Sequence, residues 1–256
     1  MPSNLRNTGV AAVVLLLSLY VWRAAYPLSD WALLALGPLA VLLFLGHLGP
    51  GLELHQARMR AAIRPESPLL GILTGRIKAT LNAGLFVLIA VPLLAWQGLA
   101  PNPVQAAIFI VLCLVAGAVF GGVQSELLVH CHRPYVRTSA VSISTWLVAL
   151  AFVPVIAWVN LNLVHYPGEI RAADSLSDAA LRGMQVLPVR RGWIAEVFAP
   201  LYAYEAGKLW LVVQMSPSRW LAILFSLDAA LFSFILARTS VILTAFVQSL
   251  DGRNGR

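Results

Sequence analysis

Charge is scarce in this chain of 256 residues: Asp, Glu, Lys and Arg make up 11% of it, against about 25% in an ordinary soluble domain. With 59% apolar residues and a mean hydropathy of +0.80, a water-soluble fold would lack the polar groups to cover its surface. Intrinsic disorder is excluded for the opposite reason, since disordered chains are poor in apolar residues. Cysteine is nearly absent. Cys113 lies inside an apolar block and Cys131 in a short loop, which excludes a disulfide framework and a Cys-x-x-Cys metal pair. Lysine occurs twice, beside 16 arginines and a net charge of +7. These bases sit between apolar blocks, and no stretch interleaves them with aromatics as a base-stacking surface does. Membrane topology and lipid headgroups explain the charge better than nucleic acid.

Catalytic signatures are missing too. The segment Gly71-Ile72-Leu73-Thr74-Gly75-Arg76 lacks the spacing and the lysine of a phosphate loop, and Gly207-Lys208 has Tyr202 where that loop's first glycine belongs. No nucleophile elbow, His-Glu-x-x-His pair or paired-carboxylate constellation occurs. The chain reads as a non-enzyme without cofactor or bound metal, and any ATP hydrolysis belongs to another chain.

Long apolar blocks dominate, roughly residues 8–22, 31–48, 79–96, 104–128, 141–164 and 220–237. Their lengths suit membrane helices rather than the alternating strands of a membrane barrel. The fold expected is all-α: a single transmembrane domain over 1–256, a polytopic bundle of six spanning helices. The first block follows Arg6 like a signal-peptide core, but Arg23-Ala24-Ala25-Tyr26-Pro27 is a poor cleavage site, so an uncleaved span is expected. A further stretch, 197–215, carries Glu205, Gly207, Lys208 and Pro200. A charged side chain at the bilayer centre costs about 2.5–3.5 kcal/mol. A re-entrant or interfacial element before the last span is therefore expected there, within an extracytoplasmic segment 165–219. That segment also holds a short amphipathic helix over 176–187, begun near Ser177 or Asp178, and the interfacial anchor Trp193.

Loop 49–78 holds Arg58, Arg60, Arg64, Arg76 and Lys78, and the loop after the fourth span holds Arg133 and Arg137. The positive-inside rule puts both loops in the cytoplasm, together with the N-terminus. Six spans then place Arg238 at the inner interface, where it can snorkel, with 240–250 on the membrane surface or docked on the bundle. Within 49–78, residues 52–63 form an amphipathic helix on the inner membrane face, broken by Arg64-Pro65-Glu66-Ser67-Pro68.

Asp228 is the sharpest single residue, read near the middle of the last span; a lone intramembrane carboxylate faces a bundle interior, a pore or a subunit contact. Glu205 and Lys208 pair at the outer surface by spacing. Gly117, Gly121 and Gly122 mark close helix packing or a dimer contact. Glu126 with His130 has metal-ligand spacing, and His132 lies beside them, but the bland alternative is an interfacial turn. His47 near the inner end of span two and His130 or His132 near the inner end of span four match in depth, and would serve as haem ligands if they also face one another.

The inner helix, its proline break and Gly75-Arg76-Ile77-Lys78 before the third block resemble the type-2 permeases of ATP-binding-cassette (ABC) exporters. So do Gly98-Leu99-Ala100-Pro101 with Val104-Gln105, the small-residue run Ala116-Gly117-Ala118 to Gly121-Gly122, the turn Arg133 to Arg137-Thr138-Ser139-Ala140 after Ser125, and Ala199-Pro200-Leu201-Tyr202. The resemblance covers roughly 35–240. It implies a permease subunit of the bacterial-type inner membrane, a homodimer or heterodimer driven by an ABC ATPase in trans. It further implies ATPase coupling through Glu53, Arg58, Arg60, Arg64 and Arg76, and a translocation path or interface at Asp228, Glu205, Lys208, Gly117 and Gly121. Two other readings stand beside it: a non-transporting membrane component or assembly factor, and a haem-binding redox subunit.

Overall fold

The computed structural model describes residues 2–62, 75–99, 103–162, 172–185, 192–215 and 219–254. Every regular element among them is helical. In chain order these are α1 (Pro2–Ala25), a 3₁₀ helix (Asp30–Leu36), α2 (Gly37–Ala62), α3 (Arg76–Leu99), α4 (Pro103–His130), α5 (Arg133–Asn162), α6 (Leu176–Gln185), α7 (Trp193–Met215) and α8 (Arg219–Asn254). Six stretches are long and apolar enough to cross a membrane: they lie on α1, on the 3₁₀ helix joined to α2, and on α3, α4, α5 and α8. In hydrocarbon a backbone must satisfy its own polar groups, which long helices do. The protein is an all-α, multi-pass membrane helical bundle.

Large apolar side chains point outward along each span, among them Leu17, Tyr20, Leu81, Leu88, Leu150 and Leu231. In water such a belt would be an aggregation surface; against lipid it is the expected exterior. The interior is built around α8, whose apolar window is 61% buried while the other spans range from 28% to 44%. Helix α8 packs most closely on α5, and also touches α1, α2, α3 and α4. Small and hydroxylated residues allow these approaches. Ser233 Oγ donates to the Ala149 carbonyl at 3.0 Å, and Ser240 Oγ to the Cys113 carbonyl at 2.9 Å. Arg137 donates to the Ala245 carbonyl. Trp22, fully buried, ties α1 to α3 through a 3.0 Å bond from its indole N–H to the Ala95 carbonyl.

Both ends of the described chain lie on one face. Arg6 and Asp251 form an ion pair at 2.5 Å, and Gln248 donates to Asn4 at 3.1 Å. The α4–α5 turn lies on that face too, because Thr138 Oγ1 reaches the Pro50 carbonyl of α2 at 3.1 Å. We call this the terminal face, and the other end of the bundle the opposite face.

The last helix corrects three expectations. It runs over 36 residues, well past the block 220–237, because Ser240 and Thr244 find carbonyl acceptors inside the bundle. Residues 240–250 therefore continue the span and do not lie on the membrane surface. Arg238 stands midway between Asp228 and Asp251, at mid-depth and not at the inner interface. Asp228 stands at the opposite face and not in the middle of the span. The helix expected over 52–63 is present up to Ala62 as the continuation of α2 through Pro50, not as a separate element; residues 63–74, with Arg64 and the proline break, lie outside the described residues.

Close packing of α1 on α4 rests on Gly117. A Cβ there would stand 2.3 Å from Thr8 Cγ2, whereas one at Gly122 on the same helix meets nothing within 4 Å. Overpacking of this kind costs about 1–3 kcal/mol. Gly117→Ala is expected to lower the unfolding temperature in detergent, with Gly122→Ala silent and Thr8→Ala restoring the loss; equal effects of the two glycine substitutions would refute the close-packing account.

Candidate functional site

Helices α6 and α7 gather at the opposite face. Helix α6 starts beside Ser177 and Asp178, as expected, with the Ser175 hydroxyl accepting from the Asp178 N–H at 3.1 Å as its N-cap. Arg182, bonded to Asp178 at 3.1 Å and paired at 2.8 Å, holds that exposed carboxyl below the usual carboxylate range. The apolar side of α6 docks on α7 around Ala173, Ala179, Ala206 and Leu209. Gly183 makes this possible, since a Cβ there would lie 2.3 Å from Ala206 Cβ and 2.8 Å from the Tyr202 carbonyl. The Trp210 indole closes the contact, donating to the Ala173 carbonyl at 2.9 Å.

Helix α7 does not cross the bundle. Near its start, Gly192 lies beside Asp30 and Phe198 packs on Trp22 at 6.0 Å between ring centroids. Further along, Lys208 reaches Asp228. All these contacts fall at the opposite face, so α7 covers the ends of the spans there, in keeping with its three charged residues, Glu196, Glu205 and Lys208.

Beneath this cover is a small pocket of about 40 Å³, well below the size of sites for drug-sized ligands. Gln97 of α3 and Gln105 and Phe109 of α4 line one part, Ile156 and Val159 of α5 another, Glu205 and Lys208 of α7 a third, and Asp228 and Phe232 of α8 a fourth. Lys208 and Asp228 form an ion pair, their side chains 5% and 21% exposed. The pairing expected from sequence was Glu205 with Lys208; the ammonium acts electrostatically on Glu205 and also bridges to Asp228 of α8. Phe109 and Phe232 meet with centroids 4.9 Å apart and planes tilted by 46°.

Three of the expected path residues, Glu205, Lys208 and Asp228, thus share one cavity. Gly117 and Gly121 do not belong to it; they face Thr8 and Asn4 of α1 within the same chain. Glu53 and Arg58 are exposed on the extension of α2, Arg60 lies on the same stretch, and Arg76 is exposed at the start of α3. Arg64 is outside the described residues. Glu126, His130 and His132 are exposed around the α4–α5 turn, and among the described residues no three His, Cys, Asp or Glu side chains converge on a metal-sized site.

His47 stacks on Phe86 with ring centroids 5.3 Å apart.

Sequence reasoning passed over Gln97, Gln105, Phe109 and Phe232. The only signal was an amide at each of the facing ends of the third and fourth spans. Compared with family models, with curated proteins and with solved structures, the chain gives no match.

Removing one partner from a buried ion pair leaves the other uncompensated and costs about 3 kcal/mol or more. Lys208→Met and Asp228→Asn are each expected to destabilise the detergent-solubilised protein, with the Met/Asn double substitution much less damaging than the sum. Additive losses in a double-mutant cycle of unfolding temperatures would show that the pair is not coupled.

Proposed function

We propose that this chain is the membrane-spanning permease subunit of an ABC exporter, driven by an ATPase on a separate chain. The observation that carries the reading is the arrangement at the opposite face, where α6 and α7 fold back between the fifth and sixth spans over a polar pocket. The resemblance in sequence implies short returning elements at this place in the chain. A gate needs a cover over the pocket, and α7 meets the spans through Phe198 on Trp22, through Lys208 on Asp228 and through the buried Ile194 and Tyr202.

In this reading the terminal face is cytoplasmic, in a bacterial-type inner membrane. The extension of α2, with exposed Glu53 and with Arg58 and Arg60, together with exposed Arg76 at the start of α3, meets the ATPase; Arg64, outside the described residues, belongs to the same loop by sequence. Because α2 is one helix from Gly37 to Ala62, a push on its extension is transmitted into the second span and tilts it against α3. Movement of the spans parts α7 from α8 and opens the pocket outward. A second permease copy, identical or related, completes the pathway. The chain hydrolyses nothing itself.

Two measurements test this. Reporter fusions at 55 and 131 are expected in the cytoplasm and one at 192 on the far side; the reverse assignment ends the coupling scheme. The tagged chain, purified from its own membranes, is expected to bring down an ATP-hydrolysing subunit, and Arg58→Glu with Arg60→Glu to reduce that recovery several-fold. Purification without any ATPase would favour a non-transporting membrane component; an unchanged yield from the charge reversal would remove the docking site.

A further inference from the structure

Three ionisable side chains, Glu205, Lys208 and Asp228, line a pocket of about 40 Å³, which has room for at most a few waters. Lys208 is paired with Asp228 across the α7–α8 contact and also acts on Glu205, so one ammonium serves two carboxylates. With both acids ionised, the closed cavity would hold a net negative charge that so little water cannot solvate. A neutral acid removes that cost. Asp228 holds the ammonium directly, which leaves Glu205 as the carboxyl to carry the proton. Burial accordingly pushes Glu205 above its ordinary value, Lys208 draws it back, and Asp228 adds to the rise.

Among the described residues no further group at the pocket competes for this proton. Helix α8 brings Asp228 as its charged residue there, α3 and α4 bring the non-titrating Gln97 and Gln105, and α5 brings Ile156 and Val159. On α7, burial holds the nearby Tyr202 phenol above its ordinary value, and so protonated, with Tyr26 beyond it. Glu196 is exposed near the start of α7. On α6, Asp178 and Arg182 pair with each other.

The cover gives the proton a consequence. Lifting α7 from α8 admits water to Glu205, and a hydrated glutamic acid is ionised at neutral pH. Opening therefore releases a proton, and closing takes one up.

We propose that this site is a proton-operated latch: Glu205 is neutral while α7 lies on α8, and loss of its proton favours the lifting of α7. The closed form binds the proton more tightly than the open form, so closure is fully favoured below the ordinary value of the acid and weakens as pH rises through the closed-state value. The inference names a control on the gate of the permease reading, and it rests on that reading for taking the movement as a transport step. The movement itself needs no ATPase.

The test follows hydrogen exchange of the α7 amides in the full chain in detergent, between about pH 5 and 9, with rates corrected for intrinsic exchange so that they report the opening equilibrium. One proton released per opening makes the opening constant rise by up to roughly tenfold per pH unit, until Glu205 is ionised in the closed form as well. Glu205→Gln, an isostere of the neutral acid, is expected to give an opening constant independent of pH. Glu196→Gln, which removes an exposed acid from the same helix, is expected to keep the slope of the unaltered chain. A flat profile in the unaltered chain, a slope retained in Glu205→Gln, or a slope lost in Glu196→Gln overturns the proposal. If the glutamine variant at 205 does not fold, the unaltered chain and Glu196→Gln decide between them. A slope in a chain that brings down no ATPase would sink the permease reading and leave the latch standing; a flat profile beside a recovered ATPase would do the reverse.

Discussion

Inside hydrocarbon no water satisfies a stray polar atom, so every hydroxyl and charge in the bundle has to be answered by protein. Helix α8 meets much of that constraint. Ser233, Thr239, Ser240 and Thr244 are all buried along it. Ser233 and Ser240 bond to carbonyls of α5 and α4, and Thr244 bonds back to its own helix, while the Thr239 hydroxyl finds no hydrogen-bond partner among the described residues. Arg137 reaches across from α5 to the Ala245 carbonyl. Between helices these bonds act as glue where the hydrophobic effect cannot, since lipid tails are as apolar as leucine. Small side chains supply the rest: Gly46 of α2 leaves room for Ile242, and Gly117 of α4 for Thr8. Fixing α8 in the centre sets the other spans around it, and with them the depth of every charged group.

Depth then separates the charges by role. At the terminal face, Arg6 and Asp251 form an ion pair that is largely exposed, and such a pair contributes little to stability. At the opposite face, Lys208 and Asp228 are paired beneath a helix, with the ammonium almost fully covered. The difference comes from α7. Its sequence is apolar enough to enter the membrane but holds Glu196, Glu205 and Lys208, and a full span would place such charges in lipid. Lying across the ends of the spans turns Glu205 and Lys208 toward Asp228 and the amides of α3 and α4, and the pocket forms where those polar groups exclude close packing.

The fold class was legible in the sequence because it follows from block length and charge scarcity, which are local quantities. The six spans, the common side of both ends, the short helix beginning near Ser177 and the non-spanning character of 197–215 all follow from such counts. What could not be read was how far an apolar helix continues once its surface turns polar. Residues 240–250 look like a surface tail because Ser240, Thr244, Gln248 and Asp251 dilute their hydropathy; their burial depends on acceptor carbonyls such as that of Cys113, over a hundred positions away. That single misreading shifted the level of the helix, and so misplaced Asp228 and Arg238. The grouping of Glu205 with Asp228 was open to sequence only as two charged residues on adjacent elements. Gln97 and Gln105 stood at helix ends, where amides are ordinary.

Arg238 and Glu205 show why a charge at depth is not by itself a site. Arg238 is at mid-bundle, where insertion of an arginine costs about 2.5–3.5 kcal/mol. It lies over the rings of Phe86 and Phe234, with centroids 5.4 and 5.8 Å from the guanidinium carbon. A desolvated cation–π contact contributes about 2 kcal/mol, so two faces roughly offset the cost, and they tie α8 to α3 in doing so. The arginine is thereby accounted for as a structural tie. Glu205 is answered in another way: burial at the pocket pushes its carboxyl above the ordinary value and the neighbouring Lys208 draws it back, so the acid shares with Asp228 the ammonium of its own helix.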